Sequence, residues 1–407
     1  MSRRLALCLT LLVFGPACDA TEPPSTAGAP TAAEAGLAVV CSDYASTAVA
    51  LMDPEGARVT APLLIHSGSA PPGVLVALSG DISLPTAPVA GGAVVLLDRF
   101  PNGVVTWVDP VSATVIRQVD LGRGFAPNIR DLVPLGGARW LVTRANPNRQ
   151  PDPGALDRGD DLLLIESDGT PLTAVDAGDP DGFPGRPDRL LRRSDTEVWV
   201  SLNRASLDFT SWRDGMVGRV RAGADGSLGW LERVEYPGTR CCGGLTTDGV
   251  RTALACPGSF DTGAHTVAPA GSAVLTLDDS AAETARLVGD DPRVGAPFGQ
   301  DIAMMADGRV ALVALGDFDG AVDRVLAWDP DADTVVELYR ASAPFIIGSL
   351  ATTASGLPVF PVADPAHPAV CVVREGGVAC TSACDATGLP PRLVRRLAPA
   401  VGGQRRP

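Results

Sequence analysis

The chain has 407 residues, 45% apolar and only 20% charged, with 45 Gly and 36 Pro, a turn-rich composition that points to an all-β protein. Its net charge of −14 argues against nucleic-acid or anionic-membrane binding. All 33 basic residues are Arg, which excludes a phosphate-loop lysine and every Schiff-base mechanism.

The amino terminus reads as an export signal. Arg3-Arg4 supplies positive charge, Leu5 to Phe14 is an apolar core too short to span as a mature helix, and Gly15-Pro16-Ala17 precedes Cys18. Residues 1–18 are therefore expected to be a signal peptide ending at a lipoprotein-type Cys18, lipidation of which would anchor the protein outside the cytoplasm. Gly15 stands where that cleavage box usually has Leu, and ordinary cleavage near Ala17 or Ala20 is the other reading. Residues 19–36, rich in Ala, Pro and Thr, have nothing to bury and are expected to form a disordered tether.

From residue 37 onward one unit repeats. Val104 to Val108 alternates β-branched and aromatic residues, Asp109-Pro110 makes a turn, and Thr114 to Leu121 is a second β-rich run. The Asp accepts a turn N–H while Pro pre-sets φ, so the dipeptide specifies a tight reversal. Equivalent turns follow apolar runs at Asp53-Pro54, Asp168-Gly169, Asp225-Gly226, Asp278-Asp279, Asp329-Pro330 and Glu375-Gly376, 46 to 59 residues apart. A second punctuation mark shares that period: Gly136-Gly137, Asp248-Gly249, Asp307-Gly308 and Ser355-Gly356. Together they divide each unit into four strands, a to d, and seven units on this period predict a β-propeller.

The first unit has strands b, c and d but nothing in front except the tether. A leftover strand, Arg392 to Leu397, follows the seventh unit and resembles the strand a at Arg189 to Arg193. The expected fold is thus all-β, a seven-bladed β-propeller over residues 37–401 with four antiparallel strands per blade, its first blade closed by the C-terminal strand, and a tail at 402–407. Closure removes the exposed sheet edge.

The runs Trp140-Leu141-Val142-Thr143-Arg144-Ala145-Asn146 and Val198-Trp199-Val200-Ser201-Leu202-Asn203, each leading to an acidic-turn hairpin, resemble the YVTN-type seven-bladed propellers of exported bacterial proteins. The resemblance implies the fold and no ligand site. Ala253 to Cys256 and Val359 to Val362 lack the motif's aromatic and Asn.

An exported chain permits disulfides. A two-residue loop at Glu375-Gly376 sets Cys371 opposite Cys380. The same counting about Asp248-Gly249 sets Cys256 opposite Cys241, with Cys242 one residue off. Cys41 could meet Cys384 and staple the closure, leaving one of Cys241 and Cys242 as an unpaired buried thiol.

In an antiparallel meander the b–c loops and the d–a links share one face, and these are the long connections here. Binding is expected on that face. His66, Phe125, Arg144, Asn146, Phe183, Asn203, Arg240, His265, Phe298, Phe345 and His367 are the candidate contacts. The three histidines are read as independent loop residues, and the Phe-Pro pairs of the links as either inter-blade packing or an apolar rim. Asp317, Asp319 and Asp323 surround a Gly turn and offer oxygen ligands for calcium, without the bidentate Glu of an EF-hand loop. No other cofactor is expected. The partner would be a protein or cell-envelope component bound by a monomer at the periplasmic or outer cell surface. The alternative is a propeller enzyme, a lactonase-like hydrolase or quinone-dependent dehydrogenase, using the funnel at the axis.

Overall fold

The computed structural model describes residues 36–261 and 266–398. The signal segment with Cys18, the tether to residue 35, His265 and the tail at 402–407 lie outside the described residues.

Seven four-stranded antiparallel sheets surround a central axis. Blade one consists of Pro391–Arg396, Leu37–Ser42, Thr47–Met52 and Val59–His66, taken from strand a at the axis to strand d at the rim. Blade two is Asp81–Ser83, Val94–Phe100, Val104–Val108 and Val115–Asp120, and blade three Ile129–Leu135, Arg139–Pro147, Gly159–Glu166 and Pro171–Asp176. Blade four comprises Pro187–Arg192, Glu197–Leu202, Asp214–Ala222 and Leu228–Arg240, and blade five Leu245–Thr247, Thr252–Cys256, Ala273–Leu277 and Glu283–Val288. Blade six follows with Phe298–Met304, Val310–Ala314, Arg324–Asp329 and Thr334–Arg340, and blade seven with Ala351–Thr352, Pro358–Val362, Ala369–Arg374 and Gly377–Thr381. A short extra hairpin, Phe260–Asp261 with Thr266–Val267, stands in the b–c loop of blade five, where sequence reading placed only a loop.

The repeat has a physical basis in the acidic turns. Asp109 Oδ1 accepts from the amides of Val111 and Ser112, and Asp53, Asp168, Asp225, Asp278 and Asp329 each cap their own c–d turns in the same way. Strands b and c are buried on both faces and read as continuous apolar runs, while strand d alternates and faces solvent. Seven apolar clusters lie between neighbouring blades, one at each interface including that between blades seven and one.

Closure is covalent as well as packed. Pro391–Arg396 pairs with Leu37–Ser42, the Cys41–Cys384 disulfide ties blade one to the segment leaving blade seven, and the Leu397 amide donates to the Gly36 carbonyl at 2.8 Å. Both ends of the ring therefore leave together on the face of the a–b and c–d turns. A second bridge, Cys371–Cys380, joins directly paired residues of blade seven. The third joins Cys256 to Cys242 instead of Cys241. The a–b turn holds four residues, with Thr247 opposite Thr252, so the register is offset from that of a two-residue loop. Asp248 caps Val250 and Arg251 to hold the wider turn. Gly215 clears the space for this bridge, since a Cβ there would lie 1.8 Å from Cys242 Sγ.

Candidate functional site

Strand a is the innermost strand of each blade, and in five blades it carries charged side chains beside its apolar ones. Those of blades one, three, four and six meet across the axis. Arg130 donates to Asp188 at 2.9 Å, Arg189 lies 3.5 Å from Asp188 and 3.3 Å from Asp301, and Arg395 reaches Asp301 at 2.7 Å. Gln300 and Asn203 complete the shell by donating to Asp188, and Arg395 also donates to the Leu350 carbonyl of blade seven. Three guanidinium groups thus share two carboxylates in a lattice from which water is largely excluded. Burial alone would raise Asp188, yet Arg130 and Arg189 hold its carboxyl down at about 2. Burial opposes Asp301 too, and Arg395 and Arg189 override it to keep that carboxyl below its ordinary value. Arg99 pairs with Asp81 of blade two beside this lattice.

The lattice divides the axial space. Beneath it, on the short-turn face, the carboxyl ends of the a strands enclose a pit of about 360 Å³. Above it the long loops rise.

The most elaborate of these belong to blades three and four. Arg186 is buried and spans the b–c loop of blade four, donating to the carbonyls of Ala205, Ser206 and Leu207 and to Asn146 Oδ1, while its guanidinium lies 4.1 Å from the Phe209 ring centroid. Asp160, in strand c of blade three, accepts the amides of Gly185 and Arg186, fixing the link on which Arg186 sits; burial pushes its carboxyl up to about 6. Arg204 and Arg213 share Asp179 in a further ionic clasp. Between the two blades lies a cleft of about 500 Å³ lined by Phe125, Asn146, Arg149, Gln150, Leu207 and Phe209.

Blade six repeats the device. Asp323 is fully buried and accepts four backbone amides, Gly316 and Phe345 on Oδ1 and Ile346 and Ile347 on Oδ2. It is committed to the link entering blade seven. Asp317 caps Asp319 and Ala321 in its own turn. Among the described residues no group of three or more His, Cys, Asp or Glu side chains is arranged to hold a metal ion, so Asp317, Asp319 and Asp323 do not converge as the calcium expectation required. The fixed link presents Phe345, which stacks with Phe318 at 4.9 Å on the surface.

Of the other anticipated contacts, Phe125 and Asn146 line the cleft, and Phe183 is half-buried with Arg213 4.3 Å from its ring. Asn203 belongs to the axial lattice, Arg240 pairs with Asp214, and His66 Nδ1 accepts the Gly68 amide within its own link. His367 is an exposed residue of the blade-seven loop, on a different blade from His66. Two expectations are corrected. Arg144 is fully buried, donates to both oxygens of Asp161 and to the Leu121 and Leu156 carbonyls, and is a structural tie. Phe298 is fully buried in the cluster between blades five and six, so the packing reading holds at that link. Cys241, the unpaired thiol, sits half-buried near Asp188, Arg130 and Arg186, where burial and the Asp188 charge push its pKa up to about 11. Sequence reading missed Arg130, Asp188, Arg189, Asp301 and Arg395; their signal was the recurrence of charged residues inside the innermost strands.

No protein family and no curated protein matches the sequence. Solved structures do match the fold. A candidate 6-phosphogluconolactonase from Bacteroides fragilis aligns over 91% of this chain and 100% of its own with a TM-score of 0.56 at 11% identity. A second, from Bacteroides uniformis, aligns over 89% and 100% with a TM-score of 0.56 at 15% identity. A functionally unknown protein from Desulfotomaculum acetoxidans aligns over 89% and 99% with a TM-score of 0.54 at 12% identity. At these identities the likeness is one of β-propeller architecture.

Proposed function

We propose that the protein is an exported β-propeller, anchored through Cys18, that serves as a binding or scaffold module at the bacterial cell envelope and engages a protein or envelope component through its long-loop face. Three disulfides suit an oxidising compartment and support export. The observation that carries the binding role is the pair Phe209 and Phe345. Both have left-handed backbone, φ 57° and 59°, which costs on the order of 1 kcal/mol or more for a bulky side chain. Both are also 48% and 43% exposed, so neither strain nor exposure is repaid by burial. Each is held there by a buried charged residue, Arg186 for the b–c loop that carries Phe209 and Asp323 for the link that carries Phe345. Aromatic rings fixed in solvent on rigid loops are the usual anchors of an interface.

The enzyme alternative would place its catalytic set at the axial funnel, where the Asp188 and Asp301 carboxylates are already paired with Arg130, Arg189 and Arg395. The test uses the mature protein and its Phe209→Ala/Phe345→Ala variant as baits against the native envelope fraction. Capture of a defined partner by the first, falling at least tenfold with the second while the melting temperature stays level or rises, is expected. Equal capture by both baits would overturn the proposal. Intact mass carrying the lipid increment at Cys18 is the expected result for the anchor.

A further inference from the structure

We propose that the axial pit on the short-turn face is a binding site for a small organic oxyanion, a carboxylate or phosphate group carried on a compact apolar body, received head-down against Arg189 and Arg395. This site is separate from the long-loop face and does not depend on it.

Charge is the first argument. The pit lining carries four guanidinium groups, Arg189, Arg192, Arg395 and Arg396, and one carboxylate, Asp301, in a chain whose net charge is −14. Asp301 is shared between Arg189 and Arg395, so guanidinium groups outnumber carboxylates among the side chains that line the pit. Behind that lining Asp188, paired with Arg130 and Arg189, and Asp131, which also acts on Arg189, offset part of this charge. Arg192 pairs at the rim with Asp195, whereas Arg396 is exposed and has no ion-pair partner among the described residues. A cationic floor at the bottom of a low-dielectric pit focuses its field outward and concentrates small anions.

Unused hydrogen-bonding capacity is the second. Arg189 and Arg395 are only 6% and 4% exposed, yet the Nε of each lacks a hydrogen-bond acceptor. Arg189 Nε has Asp188 3.5 Å away, and Arg395 Nε has no such neighbour. Buried donors are ordinarily paired, so a cluster of them against one cavity marks where an acceptor belongs. Size and wall chemistry supply the third. About 360 Å³ falls at the small end of ligand sites, and Pro88, Ile302 and Leu350 give the walls an apolar surface that a fully hydrated inorganic ion would not use.

Titration calorimetry on the mature protein at low ionic strength tests this, with benzoate and phenyl phosphate as probes and chloride at matched ionic strength as the reference. Saturable one-to-one binding of at least one of the two is expected, weakened at least tenfold by Arg396→Glu and by Thr246→Trp, which fills the pit from its wall without touching the lattice. Tighter binding of phenyl phosphate would assign the phosphate-ester form of the ligand, and tighter binding of benzoate the carboxylate form. A response no larger than that to chloride, or binding that both variants leave unchanged, would overturn the proposal.

Discussion

Asp323 illustrates how an acidic side chain in a chain rich in Asp can be read two ways. Its surroundings in sequence suggest a cation loop; in space its two oxygens accept four amides of a turn that would otherwise be buried without partners. Removing one acceptor that serves several buried donors costs roughly 1–3 kcal/mol for each group left unpaired. Asp323→Ala is therefore expected to destabilise the protein by at least about 3 kcal/mol in urea unfolding, with Phe345 losing its fixed position. Asp160 does the same service for Gly185 and Arg186 one half-ring away, and the pair shows why an Asp stands at the start of strand c in these two blades.

At the scale of strands, the residues that suggest a propeller repeat turn out to join blades. Thr143 and Ser201 in strand b each accept the amide of their own strand a and donate to a carbonyl of the next blade, Asp188 or Gly243. The pattern was legible because it recurs locally: apolar run, acidic turn, apolar run. Register over a turn of uncertain length was less so, as Cys242 in place of Cys241 demonstrates. Arg144 and Phe298 were misjudged for a related reason. Each lies within a strand at its long-loop end, where one residue's difference decides between solvent and the packed interface. The disulfides carry a graded prediction. Cys41 and Cys384 are 343 residues apart and Cys371 and Cys380 only 9. By the chain-entropy argument the first bridge contributes up to about 6 kcal/mol and the second about 3. Chemical denaturation of Cys384→Ser should thus show a clearly larger loss than that of Cys380→Ser.

For the whole molecule, the ring was legible from period and from the unpaired strand at each end, whereas the axis was not. Arg189 and Asp301 are 112 residues apart and Arg395 and Asp301 are 94, and no local pattern links them until closure brings strand a of each blade to one line. A repeat array ordinarily couples each unit only to its neighbours, so its unfolding can proceed one unit at a time. Here the axial ion pairs connect blade three to four, four to six, and six to one, skipping over blades five and seven. Those skipping links give the ring shortcuts that a chain of nearest neighbours lacks. Calorimetric and van't Hoff enthalpies of unfolding should accordingly agree at neutral pH, as for a single cooperative unit. Asp188 and Asp301 are both held below their ordinary values, so their contribution is complete above pH 4 or so and is lost as pH falls towards about 2. The two enthalpies should diverge there, and in Asp301→Asn at any pH, as the blades begin to melt separately. Seven similar sheets would then be distinguished from a single molecule by two carboxylates, and the wheel would hold together by its hub as well as by its rim.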